Sequence, residues 1–183
     1  MLVIRTGMRR GELFGLRWDD VNLQQGLLHV RQALAPNAKS FSLPKTSKGR
    51  RKIRLTSEAV EALKRNKVAQ NEERLRQGTS WQDHGLVFPS QVGTPMNPDN
   101  FVKRSYKPLL ERARLPQMPF HCLRHTFATL MMPNGHPKVI QEMLGHSRVS
   151  TTLDIYSHAS QDMQDEAVMR FESLFMTRPS ENR

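Results

Sequence analysis

Cysteine is nearly absent from this 183-residue chain, in which Cys122 is the only one. One thiol cannot form an internal disulfide, so a disulfide-stapled secreted domain is excluded, and the composition is typical of a reducing, cytosolic setting. Long apolar runs are also missing, since no stretch reaches the ~18 residues that read as a membrane-spanning helix. We therefore expect a globular protein with its own core and no contact with a membrane.

Acidic residues are few relative to basic ones. Lys and Arg number 28 against 17 Asp and Glu, which gives a net charge of +11. Such an excess favours a polyanionic partner, above all nucleic acid, although a merely basic surface is the alternative. The basic side chains cluster in "PKTSKGRRKIRL" (44–55) and "NFVKRSYKPLLERARLP" (100–116). The residues that we expect to contact DNA phosphates are Lys48, Arg50, Arg51, Lys52, Lys103 and Arg104.

Sequence patterns predict an α+β fold that is mainly helical and contains a small antiparallel sheet. "GLLHVRQA" (26–33) and "RKIRL" (51–55) are typical of two strands joined by a basic connection. Helices are predicted at 10–17, from Ser57 to Gly78, from Asn97 to about Ala113, at 119–130, at 138–144 before a Gly145 cap, and from Ser160 to about Met176. In the helix 119–130, we expect Phe120, Leu123, Phe127 and Leu130 to face the core.

"PFHCLRHTFATL" (119–130) contains the residues of either a metal site or a phosphate site. His121 and Arg124 are three positions apart and would be neighbours on a helix, with His125 rotated further round. A zinc site would have to combine His121, Cys122, His125 and His146. There is no His-Glu-x-x-His motif, and Arg124 would place a positive charge beside the ion, so we expect no metal. The alternative is a buried histidine whose hydrogen bonds are made within the core and which has no functional role.

Two further stretches supply groups that suit a phosphate. Arg9 precedes a short helix on which Glu12 is placed to hold it, and a guanidinium binds phosphate oxygens bidentately. His146 follows Gly145 in a tight turn, and Tyr156 lies ten residues on, where packing in the core is its alternative role. No Gly-x-x-x-x-Gly-Lys loop and no paired carboxylates stand out. These residues favour phosphoryl transfer on DNA without a metal, a nucleotide or another small-molecule cofactor.

As an ordered set, these motifs resemble the tyrosine recombinase (phage integrase) family. "TGMRRGEL", "PKTSKGRRKIRL", "HCLRHTFAT" and "LGHSRVSTTLDIYSH" are similar to that family's conserved boxes over roughly residues 6 to 158. The resemblance implies the fold of the tyrosine recombinase catalytic domain, a DNA breaking-rejoining enzyme. It also implies the catalytic residues Arg9, Lys45, His121, Arg124, His146 and Tyr156, with Lys48 second to Lys45, and Glu12 and His125 as supporting residues.

The resemblance implies a mechanism as well. Tyr156 attacks the scissile phosphate, forms a 3′-phosphotyrosine and releases a 5′-hydroxyl, and another strand's 5′-hydroxyl then reseals the DNA. His121 accepts the phenol proton, Lys45 protonates the departing oxygen, and Arg9, Arg124 and His146 stabilise the charge on the phosphorane.

The expected domain organisation is a catalytic domain at 1–176 and a flexible tail at 177–183, without the family's N-terminal DNA-clamping domain. The implied function is site-specific recombination of a mobile element, with double-stranded DNA and a homotetramer on DNA as partners, in the nucleoid of a bacterial cytoplasm. A non-catalytic DNA-binding fragment is the alternative, and a tyrosine-type topoisomerase is a minor variant.

Overall fold

The computed structural model describes residues 2–38, 40–43, 49–132, 136–146 and 168–169. Three predicted site residues, Lys45, Lys48 and Tyr156, lie outside these ranges, as does the predicted tail 177–183. Of the helix predicted from Ser160, only residues 168–169 fall inside them, and these are helical. Within the described residues, the predicted α+β fold, mainly helical with small antiparallel sheets, is confirmed.

The chain begins with two short helices, α1 (Leu2–Thr6) and α2 (Arg10–Phe14). Gly7 joins them with a φ of 63°, in the left-handed region that glycine adopts without strain. The helix predicted at 10–17 ends early, because Gly15 closes α2 and a 3₁₀ turn follows at Trp18–Asp20. Gly7 thereby places the end of α1 and the start of α2 beside helices that come much later in the chain.

Two small antiparallel sheets follow. The first has the strand order β1 (Val21–Asn22), β2 (Leu27–Val30) and β5 (Arg51–Arg54), and the second pairs β3 (Ala33–Leu34) with β4 (Phe41–Ser42). The strand predicted at 26–33 is therefore split, because its first half pairs with β5 and the chain then pairs with β4 instead.

Helix α3 (Ser57–Gln77) is the long polar helix that the sequence predicts. Its N-cap is Thr56 rather than Ser57, because the Thr56 hydroxyl accepts a hydrogen bond from the backbone N–H of Ala59. Gly78 ends it with a φ of 53°, as expected. The helix predicted from Asn97 divides into α4 (Pro98–Phe101), a π-helical stretch (Val102–Tyr106) and α5 (Lys107–Arg112).

The last described helices are α6 (Cys122–Met131) and α7 (Pro137–Leu144). Phe120 and Phe127 are buried as predicted, but Leu130 is 64% exposed, so its predicted place in the core is wrong. Phe127 packs with Ile140 and Leu144 in a cluster that joins α6 to α7, whereas Phe120 belongs to a larger core formed with the sheet and α1. None of the helices in the described part of the chain is long and apolar enough to cross a membrane.

Gly7 is a position at which a single added carbon should disturb the packing of the core. A Cβ there would lie 2.5 Å from Phe127 Cδ1 and 2.8 Å from Leu144 Cδ2, whereas at Gly26, which has the similar φ of 61°, the nearest atom would be 3.7 Å away. We expect Gly26→Ala to lower the free energy of unfolding by about 1 kcal/mol through backbone strain. Gly7→Ala should lower it by a further ~1–3 kcal/mol through overpacking. Urea unfolding of both variants measures this difference, and equal losses would contradict the packing shown at Gly7.

Candidate active site

Arg9 and Glu12 form the first part of the site. The Arg9 backbone N–H donates to Glu12 Oε2 at 2.8 Å, which satisfies a free amide at the start of α2. The Arg9 side chain turns the same way, with Nη1 donating to Glu12 Oε1 at 2.9 Å and Nη2 to the carbonyl of Gly145 at 3.0 Å. Its side chain is still 45% exposed, so the carboxylate orients a guanidinium that solvent, or a phosphate, can reach.

Arg51 approaches the same carboxylate from strand β5. Its Nη1 and Nη2 donate to Glu12 Oε1 and Oε2 at 3.0 and 2.8 Å, the bidentate arrangement that gives a strong ion pair. Burial alone raises the pKa of Glu12, but hydrogen bonds and charge from Arg51 and Arg9 outweigh it and hold that pKa below its ordinary value. Glu12 is therefore an anion that both arginines share.

Arg124, on helix α6, is held by backbone carbonyls instead of a carboxylate. Its Nη1 donates to Gly7 O at 2.5 Å and its Nη2 to Leu144 O at 2.8 Å. Burial and the charge of Arg9 lower the pKa of Arg124 to about 9, so the guanidinium remains protonated at pH 7. Two neutral carbonyls orient this cation without cancelling its charge.

His146 follows the end of helix α7. Gly145 adopts the left-handed conformation (φ 66°, ψ 41°) and caps the helix as the sequence predicts. The His146 backbone is held on both sides by Gln141, whose carbonyl accepts from His146 N at 3.1 Å and whose Nε2 donates to His146 O at 3.0 Å. Burial, followed by the charges of Arg124 and Arg9, lowers the pKa of His146 to about 4. Its imidazole is neutral at pH 7 in the DNA-free protein, so it can donate a hydrogen bond but does not add charge.

His121 and His125 lie at the start of helix α6. Their rings meet edge to face with centroids 5.7 Å apart, so the prediction that His125 turns away from His121 is wrong: residues four apart face the same side of a helix. Both residues are exposed. In the described ranges, no group of three or more His, Cys, Asp or Glu side chains is arranged to hold a metal ion.

Two open clefts meet at Gly145. One, of about 480 Å³, is lined by Arg9, Arg10 and Glu12, and the other, of about 420 Å³, is lined by Arg50, Lys52 and His146. Both clefts expose basic side chains beside the catalytic candidates, as a surface that receives a DNA backbone requires.

One predicted DNA contact is contradicted. The Arg51 side chain is only 6% exposed and is paired with Glu12, so it is not free to bind a phosphate at the surface. Its neighbours Arg50 and Lys52 are exposed, as are Lys103 and Arg104, and these stay predicted DNA contacts. The alternation of side chains between the two faces of β5 could have predicted this difference. Arg51 lies on the same face as the buried Ile53.

The chain has only two tyrosines, Tyr106 and Tyr156. Tyr106 is 5% exposed, its ring packs edge-on against Phe120 with centroids 5.1 Å apart, and burial raises its pKa. A buried phenol with a raised pKa is a poor nucleophile. Tyr156 stays the predicted nucleophile.

Comparison with known proteins identifies the family of this chain. The sequence profile of the phage integrase family matches residues 1–163. The chain belongs to the phage integrase family. Its site residues come from the segments that the sequence motifs mark: Arg9 from the first, His121 and Arg124 from the third, and His146 from the fourth.

Individual members of the family match along nearly the whole chain. A "Tyrosine recombinase XerC-like" protein of Caldanaerobacter subterraneus subsp. tengcongensis is 33% identical over 96% of this chain and 49% of its own length. An integrase of Streptomyces ambofaciens is 30% identical over 98% of this chain and 48% of its own length. The solved structure of the Tn1549 transposon integrase in complex with transposon right end DNA superposes with a TM-score of 0.77 at 26% identity, over 92% of this chain and 56% of that one. This integrase-family chain thus spans about half the length of the curated relatives it matches.

The low pKa of His146 predicts how this integrase-family domain responds to pH. An unfolded histidine binds its proton near pH 6.5 and the folded one only near 4, so folding stability should fall as the pH is lowered from about 6.5 to 4. An NMR titration of the His146 ring, assigned by its loss in His146→Gln, should show a midpoint near 4. Duplex DNA should raise the midpoint, because phosphate charge opposes that of the arginines. A midpoint near 6.5 in the DNA-free protein would show that neither burial nor the arginine charges act on the ring as described.

Proposed function

We propose that this chain catalyses DNA strand cleavage and rejoining in site-specific recombination of a mobile element, through a 3′-phosphotyrosyl intermediate. The observation that carries the proposal is the convergence of Arg9, Arg124 and His146 on one turn. Arg9 Nη2 lies 3.0 Å from the carbonyl of Gly145, and Arg124 Nη2 lies 2.8 Å from that of Leu144, directly before His146. Residues from three separate motifs thus surround one point, as stabilisation of a single phosphorane requires.

The charge balance of the site supports binding of a phosphodiester. The site contains three guanidinium groups, those of Arg9, Arg51 and Arg124, and one carboxylate, that of Glu12. The surplus positive charge is oriented by hydrogen bonds before the substrate arrives, so little reorganisation is needed as negative charge develops on the phosphate oxygens. A neutral His146 donates a further hydrogen bond to one of those oxygens.

In the proposed reaction, the phenol oxygen of Tyr156 attacks the scissile phosphorus and His121 accepts its proton. The bond to the 5′-oxygen breaks, Lys45 protonates that oxygen, and the DNA 3′-phosphate stays linked to the tyrosine. The 5′-hydroxyl of a second strand reverses these steps and releases the tyrosine. Supporting this assignment, His121 is exposed at the start of α6, and the other tyrosine of the chain is sealed in the core.

The proposed partner is double-stranded DNA, bound through the exposed basic residues beside the site, with four copies of the chain assembled on it. One solved relative is described in complex with transposon right end DNA, which supports the same class of ligand here. Residues 1–176 are proposed to form one catalytic domain with His125 as a supporting residue, working in the nucleoid of a bacterial cytoplasm.

The proposal is tested by covalent trapping. The probe is a pool of nicked duplexes with randomised sequence around the nick, in which the strand fragment beyond the nick diffuses away after cleavage and prevents rejoining. The intact chain should form an adduct that survives denaturing detergent, and Tyr156→Phe should form none, because it lacks the attacking oxygen. Tyr106→Phe is the matched control and should still form the adduct.

Two results would contradict the proposal. An adduct that persists in Tyr156→Phe would show that another residue is the nucleophile. Salt-dependent DNA binding with no adduct from any sequence in the pool would support the non-catalytic DNA-binding fragment instead.

A further inference from the structure

The Arg51 side chain donates hydrogen bonds to several groups within the protein, which a residue that only binds DNA would not need. Besides the two hydrogen bonds to Glu12, its Nε donates to the carbonyl of Met143 at 2.6 Å, and Nη1 lies 3.4 Å from the carbonyl of Gly49. These partners belong to helix α2, helix α7 and the residues before β5. One buried side chain therefore connects three segments that are far apart in sequence.

We propose that Arg51 is a positioning residue of the active site. It donates to both carboxylate oxygens of Glu12, which also accept from Arg9, and so fixes the carboxylate that orients Arg9. It also holds the last turn of α7 through Met143, two residues before Gly145, whose own carbonyl accepts from Arg9. Arg51 thus fixes the position of Arg9 relative to the turn that carries His146, and it need not touch the DNA. This inference rests on the proposed function, and deepens it.

The geometry requires arginine at this position rather than only a positive charge. The guanidinium uses Nε for one partner and both terminal nitrogens for another, in a fixed planar fork. A lysine has a single ammonium nitrogen, which cannot reach both carboxylate oxygens of Glu12 and the carbonyl of Met143 in the same way. Arg51→Lys therefore keeps the charge but loses the link between the two segments.

The test compares Arg51→Lys with Lys52→Met, a change at the exposed neighbour on the same strand. Both are assayed at a temperature at which circular dichroism shows them folded, on a nicked duplex that the intact chain cleaves. For Arg51→Lys we expect DNA affinity within about twofold of the intact chain, an unchanged salt dependence, and a single-turnover cleavage rate at saturating DNA that is lower by about 100-fold, since small misplacements of catalytic groups have effects of that size. Lys52→Met should instead reduce the slope of log K against log salt by about 0.9, the change expected for one lost phosphate contact.

Because Arg51→Met alone would leave Glu12 buried without its main partner, charge removal is tested in Glu12→Met/Arg51→Met, which removes the pair and leaves the net charge unchanged. This variant should fold and keep the salt dependence of the intact chain, but cleave slowly. Cleavage by Arg51→Lys within threefold of the intact chain would overturn the inference. So would a salt slope in the double variant reduced as much as in Lys52→Met, because Arg51 would then contact DNA directly.

A readout that does not depend on catalysis separates this inference from the proposed function. The backbone amide resonances of Gly145 and His146 should move in Arg51→Lys and stay in place in Lys52→Met. If the intact chain forms no adduct with any DNA but these resonances move, the proposed recombinase activity fails and the link between Arg51 and the turn stands. If they do not move, the positioning inference fails whatever the activity.

Discussion

The pairing of the buried Glu12 carboxylate with Arg9 and Arg51 is the interaction on which the candidate site depends. Glu12 is 4% exposed, and an isolated anion at such a position would be expensive to bury. The side chains of Arg9 and Arg51 compensate for that cost with three hydrogen bonds, and the backbone N–H of Arg9 adds a fourth donor. The carboxylate stays charged for this reason, and it orients Arg9 with its guanidinium still open to solvent.

The rest of the site is organised around the end of helix α7. The carbonyls of Met143, Leu144 and Gly145 accept from Arg51, Arg124 and Arg9 in turn. The carbonyls at the C-terminus of a helix lack partners within the helix and carry partial negative charge, so they suit cations. Three guanidinium groups therefore lie close together without a carboxylate for each, and the candidate site keeps its positive charge. Burial of His146, together with this concentration of positive charge, lowers the pKa of its imidazole.

Local signals in the sequence were enough for most of the secondary structure. Glycines at 78 and 145 end helices where predicted, because glycine adopts a positive φ without strain. The errors arose where a distant partner decides the outcome. The strand predicted at 26–33 changes its partner after Val30, and Leu130 lies on the outer face of α6, since the smaller core cluster is built from Phe127 and the residues of α7. Neither could be predicted from periodicity alone.

For the candidate active site, the sequence alone determined the family and the predicted catalytic residues, because the ordered motifs with Arg9, His121, Arg124, His146 and Tyr156 are specific to one family of DNA-processing enzymes. Only the tertiary structure decided what surrounds them. In the sequence, Arg51 is one more basic residue of a predicted DNA-binding stretch, and the fold pairs it with Glu12, 39 positions away. Likewise, the pKa of His146 is lowered by burial and then by the charges of Arg124 and of Arg9, the latter 137 positions earlier in the chain. Electrostatic effects depend on distance in space, and that distance is fixed only when the chain folds.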